Sequence, residues 1–69
     1  MSEATQLASD AGDQDPRVGL RAVAALRKLL ERLEAVQVRN ARVNGWSWQD
    51  IATELGVTRQ AVHKKHGKA

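Results

Sequence analysis

The side chains best suited to binding a charged partner are concentrated near the end of the chain. The basic side chains that follow Glu54, with no acid among them, are Arg59, His63, Lys64, Lys65, His66 and Lys68. Arginine offers a planar fork of donors and glutamine, here Gln60, offers a donor and an acceptor together. Positive charge gathered at one end of a small chain is suited to binding a polyanion.

Metal chemistry and catalysis have much weaker support in the sequence. His63 and His66 are three residues apart, but a stable zinc site needs three or four ligands, and the chain has no cysteine and no carboxylate beside these histidines. None of the three serines is spaced from a histidine in a way that indicates a nucleophile and its base. We therefore predict no metal, no cofactor and no enzymatic activity.

Acidic residues dominate the opposite end, although the formal net charge of the whole chain is +3. Residues 1–16 contain four acids and no base, so residues 17–69 hold all eleven Lys and Arg against four acids. The first segment is poor in large apolar side chains and is interrupted by Gly12 and Pro16. We predict that residues 1–16 form a disordered acidic arm, which either only solvates the chain or competes with a polyanion for the basic end.

A long amphipathic helix is predicted over residues 17–44. Asp15 is placed to cap it, proline is tolerated in a first turn, and Asn44 with Gly45 favours the left-handed conformation that ends a helix. Written as heptads, the successive a and d positions, which we name the heptad stripe, are Ala22, Leu26, Leu29, Leu33, Val36, Asn40 and Val43. A chain of 69 residues buries a thin core, so this stripe predicts contact with another chain.

The N-terminal half of the long helix is the part that we expect to carry the dimer contact. The predicted interface residues are Ala22, Leu26, Leu29, Leu30 and Leu33. The C-terminal half is expected to serve the core of its own chain, leaving Asn40 exposed. An Asn at an a position sets register in parallel coiled coils, but both parallel and antiparallel pairing are compatible with the sequence. The alternative is that this helix docks on a different protein.

Two short helices follow. Ser47 is placed to cap the first, which Gly56 ends, and Trp48, Ile51, Ala52 and Leu55 fall on one face at helical spacing. Thr58 is placed to cap the second, which runs to about Lys65. The second helix has only Ala61 and Val62 as apolar residues, so its other face must meet solvent or a partner.

Residues 49–65 resemble the helix-turn-helix of bacterial and phage repressors, with Cro-like and sigma-factor-like proteins included. Ala52, Gly56 and Val62 follow one another at the family's spacing of four and six. With the run Gly45–Trp48, the chain is also similar to small actinobacterial-type helix-turn-helix proteins. The resemblance implies that the motif covers residues 47–66 and that its core is formed by Trp48, Ile51, Ala52, Leu55, Gly56, Val57, Ala61 and Val62. Lys65 departs from the family, which usually has an apolar residue there.

The resemblance also implies how such a motif would meet DNA, because the second helix of the family lies in the major groove. Carried over by position, the base contacts are Thr58, Arg59, Gln60 and His63. Arg59 suits the two acceptors of guanine and Gln60 suits adenine. The expected phosphate contacts, which give affinity without sequence choice, are Ser47, Gln49, Lys64, Lys65 and Lys68.

Together these features predict an all-α fold, in which residues 17–69 form a helix-turn-helix DNA-binding domain with its own dimerisation helix. The expected function is sequence-specific binding of double-stranded DNA by a homodimeric transcriptional regulator. No apolar run approaches the length of a membrane span, and we expect a cytoplasmic protein located at the nucleoid. The alternatives are a helical module that binds another protein and a nonspecific nucleoid-associated DNA binder.

Overall fold

The structure is a computed structural model that describes residues 2–67, and those residues form four α-helices without a strand. The helices are α1 (Glu3–Ala11), α2 (Pro16–Val43), α3 (Trp48–Leu55) and α4 (Arg59–His66). None of them is both long enough and apolar enough to cross a membrane. The chain divides into two compact units, residues 1–33 and residues 34–69. Each unit is described separately.

The first unit begins with a helix where we predicted disorder. Ser2 caps α1 by accepting the backbone N–H of Thr5 at 3.1 Å, and Gly12 ends the helix. The prediction that residues 1–16 form a disordered arm is therefore wrong for residues 3–11, which form α1. The physical reason is local, because alanines at three of its nine positions and a serine cap favour a helix even where few large apolar side chains are present.

Two aspartates organise the turn between α1 and α2. The Asp13 carboxylate accepts the N–H of Asp15 at 2.8 Å, and the Asp15 carboxylate accepts the N–H of Arg17 at 2.9 Å. Asp15 therefore caps α2 as predicted. Gly19 is buried, and a Cβ on it would lie 3.4 Å from the carbonyl oxygen of Asp13, an ordinary contact distance.

The predicted dimer residues in the first unit have different exposures. Ala22 is only 4% exposed and lines a shallow groove with Leu7 and Asp10 of α1, so it has almost no surface left for another chain. Its assignment to the dimer contact is corrected accordingly. Leu26 and Leu29 are partly exposed, whereas Leu30 and Leu33 are exposed.

The second unit has a small core at the junction of three helices. Val38 of α2, Ile51 and Ala52 of α3 and Val62 of α4 are buried together, with Ala41 and Trp48 packed against them. Val38 was absent from the predicted core, because its neighbours Gln37 and Arg39 give it no local apolar pattern. Four of the predicted core residues are wrong for this chain by itself, since they remain exposed: Leu55, Gly56, Val57 and Ala61.

Two glycines end helices in the left-handed conformation that the sequence indicates. Gly45 has φ 84°, and the N–H of Trp46 donates to the carbonyl of Ala41 at 2.9 Å. Gly56 has φ 70°, and the N–H of Val57 donates to the carbonyl of Ala52 at 3.1 Å. Both ends are Schellman motifs, in which a bond from the second residue past the helix end satisfies a carbonyl of the last turn.

The core and the heptad stripe occupy different faces of α2. Val38 is two residues from both Val36 and Asn40, so it lies about 160° around the helix from each of them. The side chain of Val36 is 53% exposed and that of Val43 is 79% exposed, and Asn40 is exposed as well. The C-terminal half of α2 therefore supplies the core while leaving its part of the heptad stripe uncovered.

Candidate nucleic-acid interface

Helix α4 has an inner face that packs on the unit and an outer face that meets solvent. The Thr58 hydroxyl oxygen caps the helix by accepting the N–H of Ala61 at 3.1 Å, which fixes where the first turn begins. Val62 is 3% exposed and His66 is half-buried, so both point inward. The outer face carries the exposed residues Arg59, Gln60, His63 and Lys64.

Three outer side chains are available to a partner. Within residues 2–67, Arg59, Gln60 and Lys64 make no side-chain hydrogen bond or ion pair. Helix α4 also contains no acidic residue that would neutralise them. The face therefore presents two cations and one amide, with donors that only solvent satisfies.

Thr58, the first of the predicted base contacts, is exposed at the start of the same helix. Its hydroxyl oxygen is already used as the cap of α4, while its hydroxyl hydrogen is not needed for that bond. It therefore has one donor left to offer to a partner at the first turn.

His63 is exposed as a residue, but its ring is held by a neighbour. The His63 and Trp48 ring centroids are 5.2 Å apart at an interplanar angle of 79°, an edge-to-face contact between α4 and α3. Gly67 leaves room for this ring, because a Cβ there would lie 2.8 Å from His63 Cδ2. His63 therefore contributes to packing as well as to the outer face where we predicted it.

Trp48 also contacts the side chain of Arg42, a residue for which we predicted no role at the site. The guanidinium carbon of Arg42 lies 4.5 Å from the centroid of the Trp48 ring, within cation–π range. Arg42 Nη1 donates to the carbonyl oxygen of Trp46 at 2.7 Å. Arg42 thereby joins the end of α2 to the segment that leads into α3, a contact for which the sequence carries no periodic signal.

The end of α4 is tied to α2 through one carboxylate. The Glu34 Oε2 atom accepts a hydrogen bond from His66 Nε2 at 2.7 Å and forms an ion pair with Lys65 Nζ at 3.0 Å. The hydrogen bond from His66, and next that from Lys65, lower the pKa of the Glu34 carboxyl against the opposing effect of burial. Lys65, for which we predicted a phosphate contact, forms this ion pair while its side chain remains half exposed.

The start of α3 carries the remaining predicted phosphate contacts. Ser47 Oγ accepts the N–H of Asp50 at 3.0 Å, and Gln49 Nε2 donates to the Thr53 hydroxyl oxygen at 3.3 Å. Both residues are exposed, so each is accessible while it serves its own helix. Lys68 lies outside the described residues.

An apolar groove lies between α2 and α3 in the same unit. We name it the Trp46 groove; its walls and rim are formed by Gln37, Val38, Asn40, Ala41, Asn44, Trp46, Ile51, Glu54 and Leu55. Trp46 is 42% exposed and Leu55 is 40% exposed, so apolar surface remains uncovered here. Glu54 is the one acid on this rim, and it has no hydrogen bond or ion pair within residues 2–67.

Comparison with known proteins adds no likeness to this geometry. No family model, no curated protein and no solved structure matches the chain. Within residues 2–67, no group of three His, Cys, Asp or Glu side chains is placed to hold a metal ion. The feature of the described residues that points to a function is therefore the difference between the two faces of α4.

Proposed function

We propose that the chain binds double-stranded DNA, with α3 and α4 acting as a helix-turn-helix and α4 entering the major groove. The observation that carries the proposal is the division of α4 into an inner face that packs and an outer face with Arg59, Gln60 and Lys64 unpaired. A helix whose exposed donors are cationic and amide groups matches the acceptors of base edges and phosphates.

The residues of this face have different expected roles. Arg59 and Gln60 lie in the first turn, which reaches base edges in helix-turn-helix complexes, and Thr58 offers its hydroxyl beside them. Lys64 lies one turn later and supplies a phosphate contact. Lys65 acts differently from the expectation above: it holds the end of α4 on Glu34 and so positions the face rather than touching DNA.

The proposal includes a homodimer that acts as a transcriptional regulator. The supporting observation is the uncovered part of the heptad stripe, where Leu33, Val36 and Val43 are each more than half exposed. A two-fold dimer of such units would recognise an inverted repeat with half-sites about 10 bp apart or a multiple of that spacing. A short chain gains both affinity and selectivity by reading two half-sites instead of one.

Selection of bound fragments from a random pool of duplex oligonucleotides tests sequence preference and symmetry together. We expect an inverted repeat to be enriched, and we expect Arg59→Ala to relax the preference at one base of each half-site. Arg27→Ala, which removes a matched exposed arginine from the other unit, is the control and should leave the selected sequence unchanged.

Three other outcomes would redirect the proposal. Binding without any enriched sequence, together with a steep dependence on salt, would indicate a nonspecific DNA binder. Enrichment of a single half-site would contradict the proposal that the chain recognises DNA as a dimer. Absence of DNA binding at low salt would leave the chain as a module that binds another protein.

A further inference from the structure

Two exposed charges of the second unit stand on opposite sides of the heptad stripe, and each lacks a partner within residues 2–67. Arg39 occupies a g position, and the Arg39 side chain makes no ion pair or hydrogen bond within the described residues. Glu54 stands on the rim of the Trp46 groove. From α2, the same groove is bordered by Gln37 and Asn44 at e positions, Asn40 at an a position, and Val38 and Ala41 at f and b positions. These positions lie on the e side of α2 and not on its g side, so Glu54 is on the e side of the stripe.

Parallel and antiparallel pairing of α2 with a second copy bring different sides of the heptad stripe together. In a parallel coiled coil, the g side of each helix faces the e side of the other. Arg39 of each copy then faces Asn44 and the acidic rim of the Trp46 groove on the other copy. In an antiparallel pair, g faces g, so Arg39 meets a side whose other members are Ala25 and Arg32.

Asn40 discriminates between the two pairings in the same direction. It is an exposed a-position residue, and its side chain makes no hydrogen bond within the described residues. Its backbone carbonyl accepts two hydrogen bonds from Asn44, one from the backbone N–H and one from the side-chain amide. In a parallel, in-register pair each Asn40 faces its own copy, so the two amides can bond to each other. In an antiparallel pair, Asn40 faces a d position of the other copy. All d positions of the stripe are apolar, so the Asn40 amide would be buried without a hydrogen-bond partner.

We propose that a second copy of this chain packs on the heptad stripe in parallel and in register, with the two Asn40 side chains paired and Arg39 of each copy bound to Glu54 of the other. The occupant is specified by charge complementarity, because one copy supplies the unpaired cation and the other supplies the unpaired acid. This inference rests on the homodimer of the proposed function. It adds the orientation of the pair and a role for the Trp46 groove.

A charge exchange tests the pairing of Arg39 with Glu54 on the full chain. The dimer dissociation constant is measured by sedimentation for the parent, Arg39→Glu, Glu54→Arg and the double variant. We expect each single variant to dimerise at least tenfold more weakly, because like charges then meet, and the double variant to return to within about threefold of the parent. Circular dichroism controls for folding, since both residues are exposed. A double variant as weak as the singles would overturn the ion pair.

Cysteine cross-linking tests register, and the chain's lack of any native cysteine makes the result unambiguous. Under mild oxidation, Val36→Cys, which leaves Asn40 in place, should form a covalent dimer in high yield, because the same d position of two parallel, in-register helices lies within disulfide reach. Ala35→Cys is the control, since Ala35 is exposed on a different face of α2, and it should remain largely monomeric on denaturing gels. Equal cross-linking of the two variants would overturn the register.

The outcomes separate this inference from the DNA-binding proposal. A chain that sediments as a dimer but does not cross-link at position 36 retains the homodimer and loses the parallel pairing. A chain that sediments as a monomer at all concentrations loses both the pairing and the homodimer. Gel shift of the unmodified chain on duplex DNA is scored independently, so loss of DNA binding by itself leaves the pairing intact.

Discussion

His66 Nε2 and Glu34 Oε2 are 2.7 Å apart although 32 residues separate them in the sequence. The bond joins the last turn of α4 to the middle of α2, and Lys65 reaches the same oxygen at 3.0 Å. Two basic side chains and one carboxylate therefore close the end of this helix.

Removing the charge of Glu34 should loosen this end of α4. We expect Glu34→Gln to lower the free energy of unfolding by about 1 kcal/mol, because a partly buried, charge-assisted bond is replaced by a neutral one. Urea unfolding followed by circular dichroism measures the change. Glu31→Gln, an exposed glutamate on the same helix, is the matched control and should change stability by less than about 0.5 kcal/mol. Equal effects of the two variants would contradict the role of Glu34.

The same carboxylate should give the fold an acid-sensitive component. The pKa of Glu34 is lowered in the folded chain, chiefly by the hydrogen bond from His66. Its contribution is therefore fully present above the ordinary glutamate pKa of about 4.3 and is lost as the pH falls through the lower folded value. The stability difference between the parent and Glu34→Gln should shrink as the pH is lowered from 6 toward 3. A constant difference over that range would contradict the assignment.

The two glycines at positions 19 and 56 should respond in opposite directions to alanine. Gly19→Ala should stabilise the chain by about 0.5 kcal/mol, because Gly19 lies in a helix and its Cβ would meet only ordinary contacts. Gly56→Ala should destabilise it by about 1 kcal/mol, because an L-residue is strained at φ 70°. Thermal unfolding measures both changes, and each variant is the control for the other. Destabilisation by Gly19→Ala would contradict this prediction, because it would mean that α1 packs closer to Gly19 than the structure shows.

Neighbouring lysines should differ in their effect on DNA binding. Lys64→Ala should reduce the slope of log K against log salt concentration by about one, because one phosphate contact is lost. Lys65→Ala should leave that slope nearly unchanged and should instead lower stability, since Lys65 is held by Glu34. Mobility-shift titrations at several salt concentrations measure both slopes. An equal loss of slope in the two variants would place Lys65 on the DNA.

Signals that act within a few residues were readable from the sequence. The caps at Ser47 and Thr58 and the stops at Gly45 and Gly56 are in the structure where we expected them. These features depend on the hydrogen-bonding capacity and backbone freedom of single residues, which do not change with tertiary context. Helix α1 was not predicted, because residues 1–16 have few large apolar groups and the signal for this helix is the short-range cap at Ser2.

Contacts between distant segments were not readable in the same way. Val38 anchors the core from a position flanked by polar residues, while the more regular heptad stripe indicated a different face of α2. The engagement of Lys65 depends on Glu34, which lies 31 positions earlier and is brought near only when α4 folds back on α2. The apolar character of Leu55 and Val57 predicted that they lie in the core, yet they are 40% and 47% exposed among the described residues.

The separation of the two tryptophans has an optical consequence. Trp48 is held between Arg42 and His63, so its emission responds to the loss of contacts within one chain. Trp46 lies on the open groove and meets solvent, so its emission responds to whatever covers that groove. With no tyrosine in the chain, single Trp→Phe variants would let ultraviolet fluorescence follow folding and association as two separate signals.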